Sequence, residues 1–213
     1  MGQLAQKISE ASSGLVCNFL RVMKKLRAPQ SEILLDQESH FREDFPFPAI
    51  CKTLEAGGSA DSHSMGIVFN RESALEWTRP CLLQEYINHD ATIFKVFTIG
   101  DYCLSVTRPS LVNFEPSDRE PPLKFNSQKM QDVIGNPEDY QVPAVDQNTL
   151  EKISQIISNE TGAHLVGYDL IRCTKTGEYA IIDMNFFPGY VGVEEFNERL
   201  LELIENLLNQ RQN

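Results

Sequence analysis

From Phe45 onward, short apolar runs alternate with polar turns, whereas the chain before it reads differently. Residues 1–28 predict one or two helical segments, broken at Ser12-Ser13 and Gly14 and carrying Lys7, Arg21, Lys24, Lys25 and Arg27 against Glu10. Ala28 to Asp44 reads as a polar connector. The runs Pro48–Thr53 and Met65–Asn70 suit strands, joined by a small, flexible stretch from Glu55 to Ser62. Leu75 and Trp77 sit in a short helical stretch, and Cys81–Ile87 is strand-like again.

Two hairpins follow. Ile93–Ile99 and Tyr102–Thr107 flank Gly100-Asp101, with glycine at the first central position as a type II′ turn prefers. Leu165–Cys173 and Glu178–Asn185 enclose Lys175-Thr176-Gly177. Between the hairpins, Pro109 to Pro143 is rich in Pro, Asn, Ser and Asp and reads as a long loop. Asp146 then opens a helix carrying Leu150, Ile153, Ile156 and Ile157 up to a capping Gly162. Val193, Phe196, Leu200, Leu203, Ile204 and Leu207 recur at helical spacing and predict a C-terminal amphipathic helix. Hairpins with flanking helices make an α+β fold with a mainly antiparallel sheet.

With 41% hydrophobic and 23% charged residues in 213, the chain can bury a core, so disorder is a poor reading. Its formal net charge of -11 disfavours binding to nucleic acid or an anionic membrane, which draws on basic surface. No apolar run is long enough to span a bilayer, and the N-terminus lacks signal-peptide features. Gln6 stands where a myristoylation signal wants Ser or Thr. Cys17, Cys51, Cys81, Cys103 and Cys173 are widely spaced without a C-x-x-C, which predicts buried reduced thiols in a cytoplasmic protein.

Candidate chemistry lies in the hairpins. Along Glu178–Asn185, alternation puts Asp183 and Asn185 on one face. If the second hairpin is centred on Thr176, Asp169 lies opposite Asp183, and facing carboxylates destabilise a bare sheet. A one-residue slip would move Asp169 to the other face. Two carboxylates and an amide oxygen could hold Mg²⁺; the bland alternative is a solvated Asp at each strand edge. Phe186-Phe187-Pro188-Gly189-Tyr190 beside Asp183 suggests that this carboxylate is not simply on the wet face. In the first hairpin, Lys95 falls opposite Val106, with Arg108 on the same face one pair further from the turn. Lys95, isolated between Phe94 and Val96, either snorkels to solvent or meets an anion, and Lys52 has the same character. Cations opposite an acidic set are what phosphoryl transfer requires. No P-loop, H-R-D or D-F-G motif is present.

Ser62-His-Ser-Met-Gly-Ile-Val-Phe-Asn70, Gln84-Glu-Tyr-Ile-Asn-His-Asp-Ala91 with Lys95, Arg108-Pro-Ser-Leu-Val-Asn-Phe114 and Asp183-Met-Asn-Phe-Phe-Pro-Gly-Tyr190 resemble the inositol-tetrakisphosphate 1-kinase family, also called inositol 1,3,4-trisphosphate 5/6-kinases. The resemblance runs from about Phe45 to the C-terminal helix. It implies an ATP-grasp fold with a helical segment and linker at 1–44, a small lid subdomain at 45–87 and a larger subdomain with the metal site at 88–213. The family's N-terminal α/β domain, which supplies lysines to the inositol phosphates, would be missing.

The same resemblance implies site roles. Lys52 and Lys95 contact ATP phosphates, Lys95 also lying near the inositol phosphate. Gln84, Glu85, Tyr86, Ile87 and Asn88 form a hinge whose backbone reads adenine, and Ser110 and Ser127 complete the nucleotide pocket. His63 touches the inositol phosphate, and Arg108 stabilises the transferring phosphate. Asp169, Asp183 and Asn185 hold two Mg²⁺ ions, with Asn185 and Gly189 bordering the acceptor. Gln131 stands where the family has a second nucleotide-contacting serine. The function implied is a monomeric, ATP- and Mg²⁺-dependent inositol polyphosphate kinase. The alternative is a truncated, non-catalytic protein that binds nucleotide or a protein partner; a carboxylate–amine ligase fits the motifs less well.

Overall fold

A computed structural model of the chain describes residues 26–54, 64–117, 121–126 and 133–210. The helices expected before Leu26, and His63, Ser127 and Gln131, lie outside the described residues. Among the described residues every strand pairing is antiparallel, in two sheets. The first sheet has five strands: β1 (Ser31–Leu34), β2 (Ala49–Thr53), β3 (Ser64–Val68), β4 (Cys81–Glu85) and β7 (Leu123–Asn126), in the order β1-β4-β2-β3-β7. The second has four: β5 (Thr92–Ile99), β6 (Tyr102–Pro109), β8 (Leu165–Arg172) and β9 (Tyr179–Phe186), in the order β6-β5-β8-β9.

The first sheet reaches beyond the lid boundaries of 45–87. Part of the expected connector pairs along β4 as β1, with Ser31 opposite Gln84 and Leu34 opposite Cys81. Part of the expected long loop pairs with β3 as β7. Both strands are four residues long, too short for alternation to show. The connector is also less polar in effect than its composition suggests. Phe41 and Phe45, both 4% exposed, pack edge-to-face over Cys51, Val68, Cys81 and Leu83 on the outer face of the sheet. Trp77, just past the one-turn helix α1 (Arg71–Leu75), completes that layer over Gly66, where a Cβ would lie 2.1 Å from the indole Cη2.

Behind the second sheet, helix α2 (Gln147–Thr161) sets Leu150, Ile153 and Ile157 against Phe94, Val96, Tyr168 and Leu170. Its caps are those expected: Asp146 accepts from the Thr149 N–H, and Gly162 ends the helix at φ 69°. Gly100 takes φ 59° in a two-residue turn between paired Ile99 and Tyr102. The C-terminal helix α3 (Phe196–Gln210) uses its apolar spacing only in part. Leu200, Leu203 and Leu207 are half-buried, while Leu201, Ile204 and Leu208 are exposed. Cys51, Cys81, Cys103 and Cys173 are buried free thiols, as expected; Cys17 lies outside the described residues.

Candidate active site

The register of the second sheet assembles the site. β5 lies between β6 and β8, so Val106, Lys95, Asp169 and Asp183 stand in one cross-strand row. Arg108, opposite Ile93, and Asn185, opposite Gly167, flank that row on the same face. The cations of the first hairpin and the carboxylates of the second therefore lie side by side rather than facing each other across a cleft. The hairpins are neighbours in one sheet, and the facing wall comes from the first sheet through Lys52 and Gln84.

The pairing of Asp169 with Asp183 depends on a β-bulge. Near the turn Arg172 faces Tyr179 and Leu170 faces Ile181, one residue out of step with the Asp169–Asp183 pair. Ile182 is the extra residue. A bulge bends its strand and re-aims side chains, and here Ile181 points into the core behind the sheet while Ile182 and Asp183 both line the cleft. An apolar wall thus stands directly beside a carboxylate. Asp183 is exposed in this cleft, so its apolar sequence neighbours do not keep it from water.

Lys95 Nζ lies 2.8 Å from Asp169 Oδ1, both side chains being about four-fifths buried (18% and 21% exposed). Burial raises the Asp169 pKa, Lys95 and Arg108 oppose that shift, and Asp183 adds to it. The buried Oδ1 receives no aligned hydrogen bond among the described residues. Asn185 Nδ2 donates to Asp183 Oδ2 at 2.7 Å. Across the cleft, Lys52 Nζ donates to Gln84 Oε1 at 2.7 Å. Burial lowers the Lys52 pKa, and the fields of Asp183 and Asp169 counter it.

Two carboxylates and an amide carbonyl are hard oxygen donors of the kind a hard cation takes. Among the described residues no third His, Cys, Asp or Glu joins them. The donor set fits Mg²⁺ or a similar ion rather than a thiophilic metal.

Beside Lys52 the cleft contains a cavity of about 410 Å³ lined by Pro29, Ser31, Gln84, Ile182 and Asp183 among others. It shares Lys52, Gln84 and Ile182 with a smaller, mostly apolar recess of about 60 Å³ lined by Ile50, Leu111, Ile171, Tyr86, Ile87 and His89. The backbone at Glu85 and Tyr86 is fixed from both sides: Glu85 N–H donates to the Gln30 carbonyl and Tyr86 N–H to the Pro48 carbonyl.

Residues 16–206 match the family described as the inositol 1,3,4-trisphosphate 5/6-kinase ATP-grasp domain. This chain belongs to that family. It is similar to the inositol-tetrakisphosphate 1-kinases of Danio rerio and Xenopus laevis, at 36% identity over 184 residues and 38% over 181. Those matches take in 80% and 77% of this chain but 45% and 43% of the relatives, so the chain spans under half their length. Among solved structures, a RimK domain ATP-grasp protein from Sphaerobacter thermophilus has a TM-score of 0.55 at 12% identity, covering 88% of this chain and 64% of that one. The macrocyclase MdnC, bound with precursor peptide MdnA from Microcystis aeruginosa, has a TM-score of 0.54 at 16% identity, covering 92% of this chain and 59% of that one. At such identities the likeness establishes the ATP-grasp fold alone.

The motifs that mark this inositol phosphate kinase family in the sequence divide between cleft and scaffold. Lys52, Gln84, Glu85, Tyr86 and Ile87 line the cleft, and Lys95, Asp169 and Asp183 share its floor. Asn88 and Ser110 do not line it. The Asn88 amide exchanges two hydrogen bonds with the Phe114 backbone, and Ser110, 4% exposed, sits against His89 Nε2 at 2.8 Å. The structure thus brings Ser110 to a histidine rather than to a nucleotide pocket. Gly189 has open space around it, with nothing within 4 Å of a built Cβ.

His89 and Asn113 went unassigned in the sequence, although both stand in its motifs. His89 Nδ1 faces the Ile87 carbonyl at 2.7 Å, so that nitrogen carries the proton and Nε2 accepts from Ser110. Asn113 Oδ1 accepts from the His89 and Asp90 N–H groups. That clamp holds Asp90 and Ala91 at φ 52° and 49°, a region L-residues seldom adopt. Burial lowers the His89 pKa below its usual 6.5. The stability from the neutral imidazole is therefore complete above 6.5 and is lost as pH falls through the folded-state value. In urea unfolding at pH 7 and pH 5.5, His89→Gln is expected to show a shallower loss of stability than wild type; parallel losses would contradict this.

Proposed function

We propose that the chain binds ATP and divalent metal in this cleft and transfers the terminal phosphate to a hydroxyl of an inositol polyphosphate. The row Lys95–Asp169–Asp183, facing Lys52, carries the reading. The apolar recess suits a purine, whose edge the backbone of 85–87 would read. Lys52 and Lys95 would neutralise phosphate oxygens, and Arg108, exposed at the end of the row, would meet the transferring group. Asp169, Asp183 and Asn185 would hold the metal, two Mg²⁺ ions in this reading. When bound, it supplies Lewis-acid neutralisation of the phosphates. Lys95 would then give up Asp169 Oδ1, and the Asn185 amide, whose Nδ2 donates to Asp183, would turn to present its oxygen to the metal. Asn185 and Gly189 border the acceptor side; the role of His63 rests on the sequence motif. The buried free thiols fit a cytoplasmic protein, the negative overall charge disfavours nucleic acid or an anionic membrane as a partner, and a monomer belongs to the same reading.

The test is transfer of labelled phosphate from ATP to inositol 1,3,4-trisphosphate with Mg²⁺, alongside thermal unfolding. At nucleotide a hundredfold above its Kd, linkage gives about 2.7 kcal/mol of stabilisation. Neither transfer nor a thermal shift at millimolar ATP and Mg²⁺ would sink the reading. A shift without transfer would favour nucleotide binding alone, a reading to which the prior pairing of Asp169 with Lys95 and Asp183 with Asn185 lends weight.

A further inference from the structure

We propose that Ser31, on β1, is a positioning residue for the Lys52 ammonium and acts through Gln84. Ser31 stands directly opposite Gln84 across the β1–β4 pair, and Gln84 opposite Ile50 across β4–β2, two residues from Lys52. Gln84 is 9% exposed, so its amide needs partners within the protein. The Ser31 hydroxyl donates to the Pro29 carbonyl at 3.2 Å. Gln84 Nε2 donates to Ser31 Oγ at 3.2 Å, and Lys52 Nζ donates to Gln84 Oε1 at 2.7 Å.

The direction of this chain follows from its anchor. A proline carbonyl can only accept, so the serine proton lies toward Pro29 and the serine lone pairs face Gln84. That leaves Ser31 to accept from the amide nitrogen, which aims the amide oxygen at Lys52. Without the hydroxyl, the amide keeps only one of the two partners that fix it, the Lys52 ammonium itself. Its oxygen, and the ammonium bonded to it, are then held less firmly in place.

The arrangement also differs in kind from that of the other lysine. Lys95 is paired with a carboxylate, whereas Lys52 is held by a neutral carbonyl that leaves its charge available to an incoming phosphate. A neutral tether suits a cation that must be fixed in place before its anion arrives. The importance of Lys52 for nucleotide rests on the function proposed above; the orientation of its ammonium by Ser31 does not.

Two measurements separate these layers. In nucleotide-free protein with lysines ¹³C-methylated, the Lys52 resonance is identified by its absence in Lys52→Ala. Ser31→Ala should move that resonance while Ser31→Thr, which keeps the hydroxyl, leaves it near its wild-type position. An unmoved Lys52 signal in Ser31→Ala overturns the proposal whether or not nucleotide binds. By calorimetry, Ser31→Ala should weaken binding of Mg²⁺–ATP by up to about tenfold, the scale of one lost hydrogen bond. It should add nothing in a Lys52→Ala background. Where Lys52→Ala weakens binding, undiminished affinity in Ser31→Ala, or additive losses in the double variant, would also overturn it. If wild type itself binds no nucleotide, the proposed function fails and the resonance experiment alone decides the role of Ser31.

Discussion

Replacing Asp183 by alanine is expected to abolish phosphate transfer, with a fall on the order of a thousandfold or more, while the unliganded protein stays as stable as wild type or gains. The activity loss follows from removing one of two carboxylates that would hold the metal, where preorganised charge supplies most of the stabilisation of a phosphoryl transition state. The stability expectation follows from the register. Asp169 and Asp183 face each other across β8 and β9, and like charges directly opposite one another oppose pairing. Burial is the main cause of the raised Asp169 pKa and Asp183 adds to it, so removing Asp183 takes away that added part. Lys95 would then pair with Asp169 undisturbed. Thermal unfolding with and without Mg²⁺–ATP checks both halves: wild type should gain a metal-dependent shift that Asp183→Ala lacks. A variant that melts well below wild type, with activity lost in proportion, would show that the carboxylate holds the fold rather than a metal.

The largest effect on stability is expected one residue from Lys95. Phe94 is 1% exposed and packs behind β5 among Val96, Tyr168, Leu170 and the inner face of α2. Truncating a buried phenylalanine costs about 3–5 kcal/mol, the lost transfer of its ring plus the cavity left behind. Against a total of roughly 5–15 kcal/mol, that removes a large fraction of the stability. For a chain of this size the melting point should fall on the order of 10 °C. Leu201→Ala supplies the contrast: Leu201 is 61% exposed on α3, and its truncation should stay within about 0.5 kcal/mol. Comparable losses at the two positions would mean that the buried layer behind β5 is not the main support of the fold.

The floor of the site was legible in the sequence because it is carried by hairpins. Gly100-Asp101 sets the register of β5 and β6 through a two-residue turn, and period-two alternation then assigns each side chain to a face. Lys95 with Arg108, and Asp183 with Asn185, could be grouped in this way before any tertiary contact was considered. The longer hairpin was less secure. A single centre at Thr176 places Asp169 opposite Asp183, yet the strands close near their turn in another register, and only the bulge at Ile182 brings the two aspartates together. Nothing in Tyr179–Phe186 announces which residue will be bulged.

Other features had no local signal. Ser31–Leu34 is a strand because β4 is there to pair with it, and half of it is exposed. Ser110 stands in a distinctive motif, but whether its hydroxyl meets a ligand or His89 is a matter of where the loop after β6 folds back. The sequence by itself determined the antiparallel α+β fold, the helix caps and the two charged faces, since these arise from neighbours along the chain and from strand periodicity. The tertiary structure alone decided that the charged faces share one sheet, that Lys52 confronts them from another, and that Ser31 steadies it. Contacts between distant segments depend on how whole sheets pack, and a sheet's position is a property of the assembled core rather than of any stretch of residues.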